Sequence, residues 1–153
     1  MAALLGHMGA WAPRAEQVAT AGLLGARDEI ESYHVEMKRA VQARLEALYS
    51  GIEALRGEGY PVEAIPPMGA IYLSVRLALN GRTTKSGARL ETNDEVRRYL
   101  LERAGVAIVQ FQAFGAPDDD GWFRLSVGAV SIAECEALGA RLRGALAELR
   151  DPD

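Results

Sequence analysis

GAIYLSVRL (69–77) alternates without a break: Ile71, Leu73, Val75 and Leu77 fall on one face, and Tyr72, Ser74 and Arg76 on the other. A period of two is the mark of a strand with one buried side. WFRLSV (122–127) repeats the pattern, with Phe123, Leu125 and Val127 on one face and Trp122, Arg124 and Ser126 on the other. Strands of fully parallel sheets are covered on both sides and read as continuous apolar runs. The two alternating segments therefore point to a mostly antiparallel sheet with one face packed.

Working outward, residues 62–65 read as a short strand stopped by Pro66 and Pro67. Before it, residues 28–56 read as one long helix whose stripe runs Ile30, Tyr33, Met37, Val41, Leu45, Leu48, Ile52 and Leu55, with Gly57 and Gly59 as the stop. At 1.5 Å per residue such a helix is roughly 40 Å long, which suggests that it leans on something outside this segment. The stripe also fits a coiled coil, but packing on the chain's own sheet is the simpler reading. Residues 1–27 form an Ala- and Gly-rich lead-in, with a short helix over 15–24 after Pro13. On the other side, residues 80–93 are a polar loop. A helix follows with Thr92 and Glu95 spaced as a capping box, and Gly105 ends it. VAIVQF (106–111) reads as a strand and GAPDDDG (115–121) as a turn. Ser131 and Glu134 form a second capping box, opening a last helix with Ile132, Cys135, Leu138, Leu142, Leu146 and Leu149 inward. The fold expected is α+β: a mostly antiparallel sheet of about four strands, helices packed on one face, and a long helix in front.

The 153 residues suit one domain with a sizeable core; 49% are apolar and 25% charged, as in ordinary globular chains. A net charge of −4 gives no basic stripe for nucleic acid. No apolar run approaches the ~20 residues of a membrane span, and MAALLGHMGA lacks the basic leader of a secretory signal. Cys135 is the single cysteine, so no internal disulfide forms, and a cytoplasmic location is expected.

Four stretches, in order, carry a resemblance: GAWAPRAEQVATAGLL (9–24), PPMGAIYLSVRL (66–77), GVAIVQFQAFG (105–115) and GWFRLSVGAVS (121–131). Each is weak alone. As an ordered set covering nearly the whole chain, they resemble the C-terminal small domain of class I/II, aspartate-aminotransferase-like enzymes that depend on pyridoxal phosphate (PLP). The resemblance implies a division into a lead-in, 1–27, that joins a larger domain, and a small domain, 28–153. It implies amino-group transfer between an amino acid and a 2-oxo acid. It also implies that Arg124, at the family's motif position, grips the substrate carboxylate. The chemistry suits the residue, because a guanidinium is a planar fork of donors matching a carboxylate. On residue chemistry alone, Arg124 reads first as an arginine on a solvated strand face, paired with an aspartate, and the ordered resemblance reverses that preference.

The Schiff-base lysine of the family has no match. Lys38 lies among charged residues of the long helix. Lys85 lies in the polar loop, with Arg82 where the family has a serine. The isolated segment is therefore expected to be inactive and to bind no PLP by itself. Gln110, Phe111, Gln112 and Ala113 stand where the family more often has Pro-Gly and a small polar residue, which puts the usual substrate in doubt. Three origins fit such a segment: an excised domain, a truncated gene product, or an independent protein that kept the fold. The alternative function is a small module binding a carboxylate through Arg124, or binding a protein. In a third reading residues 1–27 swap into another copy, and a homo-oligomer, a dimer or larger, is expected through that lead-in. Other clusters weigh less. Asp118, Asp119 and Asp120 read as a hairpin turn rather than metal ligands. His7 and His34 have no spaced partner, His34 reading as a core or interface residue. Neither GHMG (6–9) nor NGRTTKSG (80–87) has the spacing of a phosphate-binding loop.

Overall fold

The computed structural model describes residues 2–7, 9 and 12–151. The other positions of the lead-in (1, 8, 10 and 11), part of the first quoted stretch among them, lie outside the described residues. The chain divides into two compact units, Met1–Arg39 and Ala40–Asp153, the division falling inside one helix.

The first unit is helical. It holds α1 (Ala2–His7), α2 (Arg14–Gly25) and the first part of α3 (Arg27–Gly57). Helix α2 begins directly after Pro13, as the sequence indicates, and buries no residue. Leu4, Val18, Leu23, Leu24, Tyr33, Val35 and Met37 are all exposed.

The second unit holds the expected α+β core. Its strands are β1 (Val62–Ala64), β2 (Tyr72–Leu77), β3 (Val109–Gln110) and β4 (Trp122–Ser126), in the order β1-β2-β4-β3, each pair antiparallel. Both edge strands are very short, three and two residues. Leu73, Val75, Leu77, Phe123 and Leu125 turn to the buried face. There they meet the second half of α3, α4 (Asn93–Ala104) and α5 (Ile132–Leu146). Burial of each such side chain contributes roughly 1.5–3 kcal/mol. Gly51 and Gly139 let α3 and α5 approach closely, since a Cβ built on Gly51 lies 3.7 Å from the Gly139 backbone nitrogen.

Both capping boxes are present. Thr92 and Ser131 each accept from the backbone N–H three residues on, and Glu95 and Glu134 reach back to the cap N–H groups. The Tyr99 hydroxyl donates to the Ala145 carbonyl at 2.7 Å, joining α4 to α5. Arg44 on α3 donates to the carbonyls of Val127 and Val130 and so holds the turn between β4 and α5.

The structure corrects the sequence reading in three places. The strand expected over 106–111 is reduced to Val109 and Gln110. Val106 and Ile108 are buried in the core without joining the ladder, and the chain then coils into a 3₁₀ turn, Phe111–Phe114. The stripe of α3 is buried at Leu45, Leu48, Ile52 and Leu55, all within the second unit, while Tyr33 and Met37 are exposed. On α5 the first apolar residue, Ile132, is 43% exposed at the helix start, and Leu149 lies beyond the helix end. Among the described residues no helix is long and apolar enough to cross a membrane.

Candidate active site

Arg124 stands in the middle of β4, paired with Ser74 on one side and Val109 on the other. Its neighbours Phe123 and Leu125 point into the core, so pleating sends Arg124 to the open face, where it is half-buried. Two rings close on it there. The guanidinium carbon lies 4.1 Å from the centroid of Tyr72 and 4.0 Å from that of Phe114. Such stacking contributes about 0.5–1 kcal/mol per ring at accessible sites. It also gives the cation two aromatic neighbours on the open face. Among the described residues no carboxylate lies within ion-pairing distance of Arg124.

Each ring is placed by a distinct local device. Tyr72 begins β2 just after Ala70, whose φ of 57° is a left-handed conformation that non-glycine residues rarely adopt. Phe114 closes the 3₁₀ turn. Phe111, at the start of that turn, stands edge-on to Phe114 and 6.2 Å from the ring of Trp122. A row of rings, Trp122, Phe111 and Phe114, thus runs along the open face to Arg124, with Tyr72 on its far side. Val109 and Phe114 are 38% and 53% exposed on this face.

The other residues singled out in the sequence lie elsewhere. Lys85 is exposed on its loop and pairs with Glu148 at 3.3 Å. Lys38 is exposed on α3. Neither environment suits a lysine that must hold a cofactor, since such a group needs enclosure and neutral surroundings to act as an amine. Asp119 accepts the backbone N–H of Asn93 at 2.7 Å, and Asp120 accepts that of Trp122 at 3.1 Å. These aspartates organise the hairpin, and no group of three metal-ligating side chains occurs among the described residues. His34 is exposed beside the ring of Tyr33, not in the core. Cys135 is buried on α5, where desolvation raises its thiol pKa and keeps it unreactive.

Sequence reasoning missed the buried Asn93 and its bond to Gln112 of the 3₁₀ turn. The sequence carried two signs of the pair, a polar residue just after a helix cap and a glutamine in place of a small loop residue.

A family model described as aminotransferase class I and II matches residues 2–142. The chain belongs to that family. Relatives of this aminotransferase chain include a probable aspartate/prephenate aminotransferase of Rickettsia prowazekii, 40% identical over 84 residues, which are 54% of this chain and 20% of that protein. An aspartate aminotransferase of Rhizobium meliloti is 31% identical over 131 residues, 85% of this chain and 29% of that one. The crystal structure of the aspartate aminotransferase from Rhizobium meliloti superposes with a TM-score of 0.63 at 32% identity, covering 73% of this chain and 26% of the other. A Thermus thermophilus aspartate aminotransferase mutant gives 0.58 at 26% identity, covering 78% and 28%. The chain spans 19% to 29% of the length of the curated relatives it matches. PLP, as cofactor of the full-length enzymes, is implied by the family.

Proposed function

We propose that this chain is the C-terminal small domain of a PLP-dependent aminotransferase, and that Arg124 holds the carboxylate of the amino acid or 2-oxo acid substrate. The observation that carries the reading is the arginine itself: half-buried on the open sheet face, with the rings of Tyr72 and Phe114 at 4.1 and 4.0 Å from its guanidinium carbon, and without a carboxylate partner among the described residues. A guanidinium so held has lost rotamer freedom before its ligand arrives, and its fork is left to accept a planar anion. The names of the relatives, aspartate and aspartate/prephenate aminotransferases, fit a carboxylate-bearing substrate. The cofactor lysine and the phosphate cradle then come from the remainder of the enzyme, and this chain alone does not transaminate. The same reading makes the enzyme cytoplasmic and homo-oligomeric, with residues 1–27 joining the larger domain.

Two measurements test this. The chain labelled with ¹⁵N-arginine is titrated with aspartate or a 2-oxo dicarboxylate, and the Arg124 side-chain signals are expected to move saturably. Arg124→Lys, with binding of the same ligand followed by calorimetry, should weaken the affinity about tenfold or more, the effect of losing roughly 1.4 kcal/mol of charged hydrogen bonding. In parallel, PLP and borohydride are added and the lysines mapped. Labelling should be slow and shared by Lys38 and Lys85. Stoichiometric capture on one lysine, or turnover by the 153-residue chain, would overturn the assignment of a dependent domain.

A further inference from the structure

Asn93 is a fully buried polar side chain, 0% exposed, in the first turn of α4. Each of its polar groups is used. Nδ2 donates to Gln112 Oε1 at 3.1 Å, Oδ1 accepts from the Gly121 N–H at 3.1 Å, and its backbone N–H donates to Asp119 Oδ1 at 2.7 Å. Gln112 Nε2 in turn donates to the Asp118 carbonyl at 2.6 Å and to Asp119 Oδ1 at 2.9 Å. The result is a closed net joining a helix start, the hairpin loop and the 3₁₀ turn. Gln112 lies two residues before Phe114 on that same turn of four residues. Both residues stand on one short turn of three residues per turn, so the bonds to the Gln112 amide hold the backbone from which Phe114 projects.

We propose that Asn93 and Gln112 are positioning residues: they lock the 3₁₀ turn so that the Phe114 ring lies over Arg124. A buried net of this kind is either fully satisfied or destabilising, and this one is satisfied, so it selects one geometry of the turn. The usefulness of that geometry rests on the reading of Arg124 as a carboxylate site; the coupling itself does not. It also accounts for a glutamine where the family more often has a small residue: its amide is turned into the fold and away from the mouth of the site.

The test reads the clamp directly, without ligand or activity. In the chain labelled with ¹³C- and ¹⁵N-arginine, the Arg124 Cδ protons and Nε–H feel the ring currents of Tyr72 and Phe114 and resonate upfield. Phe114→Leu sets the size of the Phe114 contribution. Gln112→Met keeps the length of the side chain and removes its amide, and should abolish most of that same upfield shift while the core methyl signals stay in place. Should that variant not fold, Asp119→Ala, at an exposed position, removes one anchor of the net and should move the signal partway in the same direction. An Arg124 signal unchanged in a folded variant of either kind overturns the proposal. If the signal moves as expected but carboxylates leave Arg124 untouched, the positioning stands and the substrate role falls.

Discussion

At the scale of single residues, the fold depends on a few positions with no latitude. Gly121 is one. It sits at φ 81°, and a Cβ there would lie 2.8 Å from the Leu77 carbonyl oxygen, which is backbone and cannot move aside. Gly121→Ala should cost more than the ~1 kcal/mol of an ordinary left-handed penalty, and a urea melt should show a lower midpoint with unchanged slope. Phe123, 0% exposed at the centre of the packed face, is another; Phe123→Ala should destabilise by about 3–5 kcal/mol. The placement of Arg124 was legible only in part. Strand alternation put it on the open face. The two rings over it were not legible, because Phe114 reaches it from a 3₁₀ turn that begins at Phe111, a residue the sequence presents as the end of a strand.

At the scale of elements, the capping signals were the most readable. Thr92 with Glu95, and Ser131 with Glu134, form the boxes that their spacing predicts, because a cap is a local bargain between a side chain and the next three N–H groups. Ser131→Ala should cost about 1 kcal/mol, seen as a shift of a few degrees in melting temperature. The two-residue β3 was misread for the opposite reason. Val106 and Ile108 are apolar because they face the core, and an apolar run does not say whether its backbone joins a ladder. The stripe of α3 had the same ambiguity: its period is right along the whole helix, yet only the turns from Leu45 onward are covered. Periodicity reports a face that suits burial, not what buries it.

At the scale of the whole molecule, long-range ion pairs tie the second unit together. Glu58, just past α3, takes two bonds from Arg143 of α5. Glu148 takes bonds from Arg103 of α4 and pairs with Lys85. Arg143 holds the Glu58 carboxyl below its usual range, and Arg103, then Lys85, does the same for Glu148. Folded-state values below the unfolded ones mean that the unfolded chain binds more protons in acid. The stabilisation is present at neutral pH and is lost as pH falls below the ordinary carboxyl value of 4.5 and through the lowered folded-state values. Melting temperatures followed from pH 7 into this range should decline, and Glu148→Gln should flatten the decline.

The sheet has one more consequence, for behaviour in concentrated solution. An open sheet with aromatic side chains on its bare face is a template for cross-β growth, provided that another chain can add to its margin. Here the margins offer three residues at β1, followed by Pro66 and Pro67, and two at β3 before the backbone coils away. A docking strand would find too few N–H and C=O groups to register against. When this domain is handled alone, its self-association should therefore proceed through faces, reversibly, and not through fibrils.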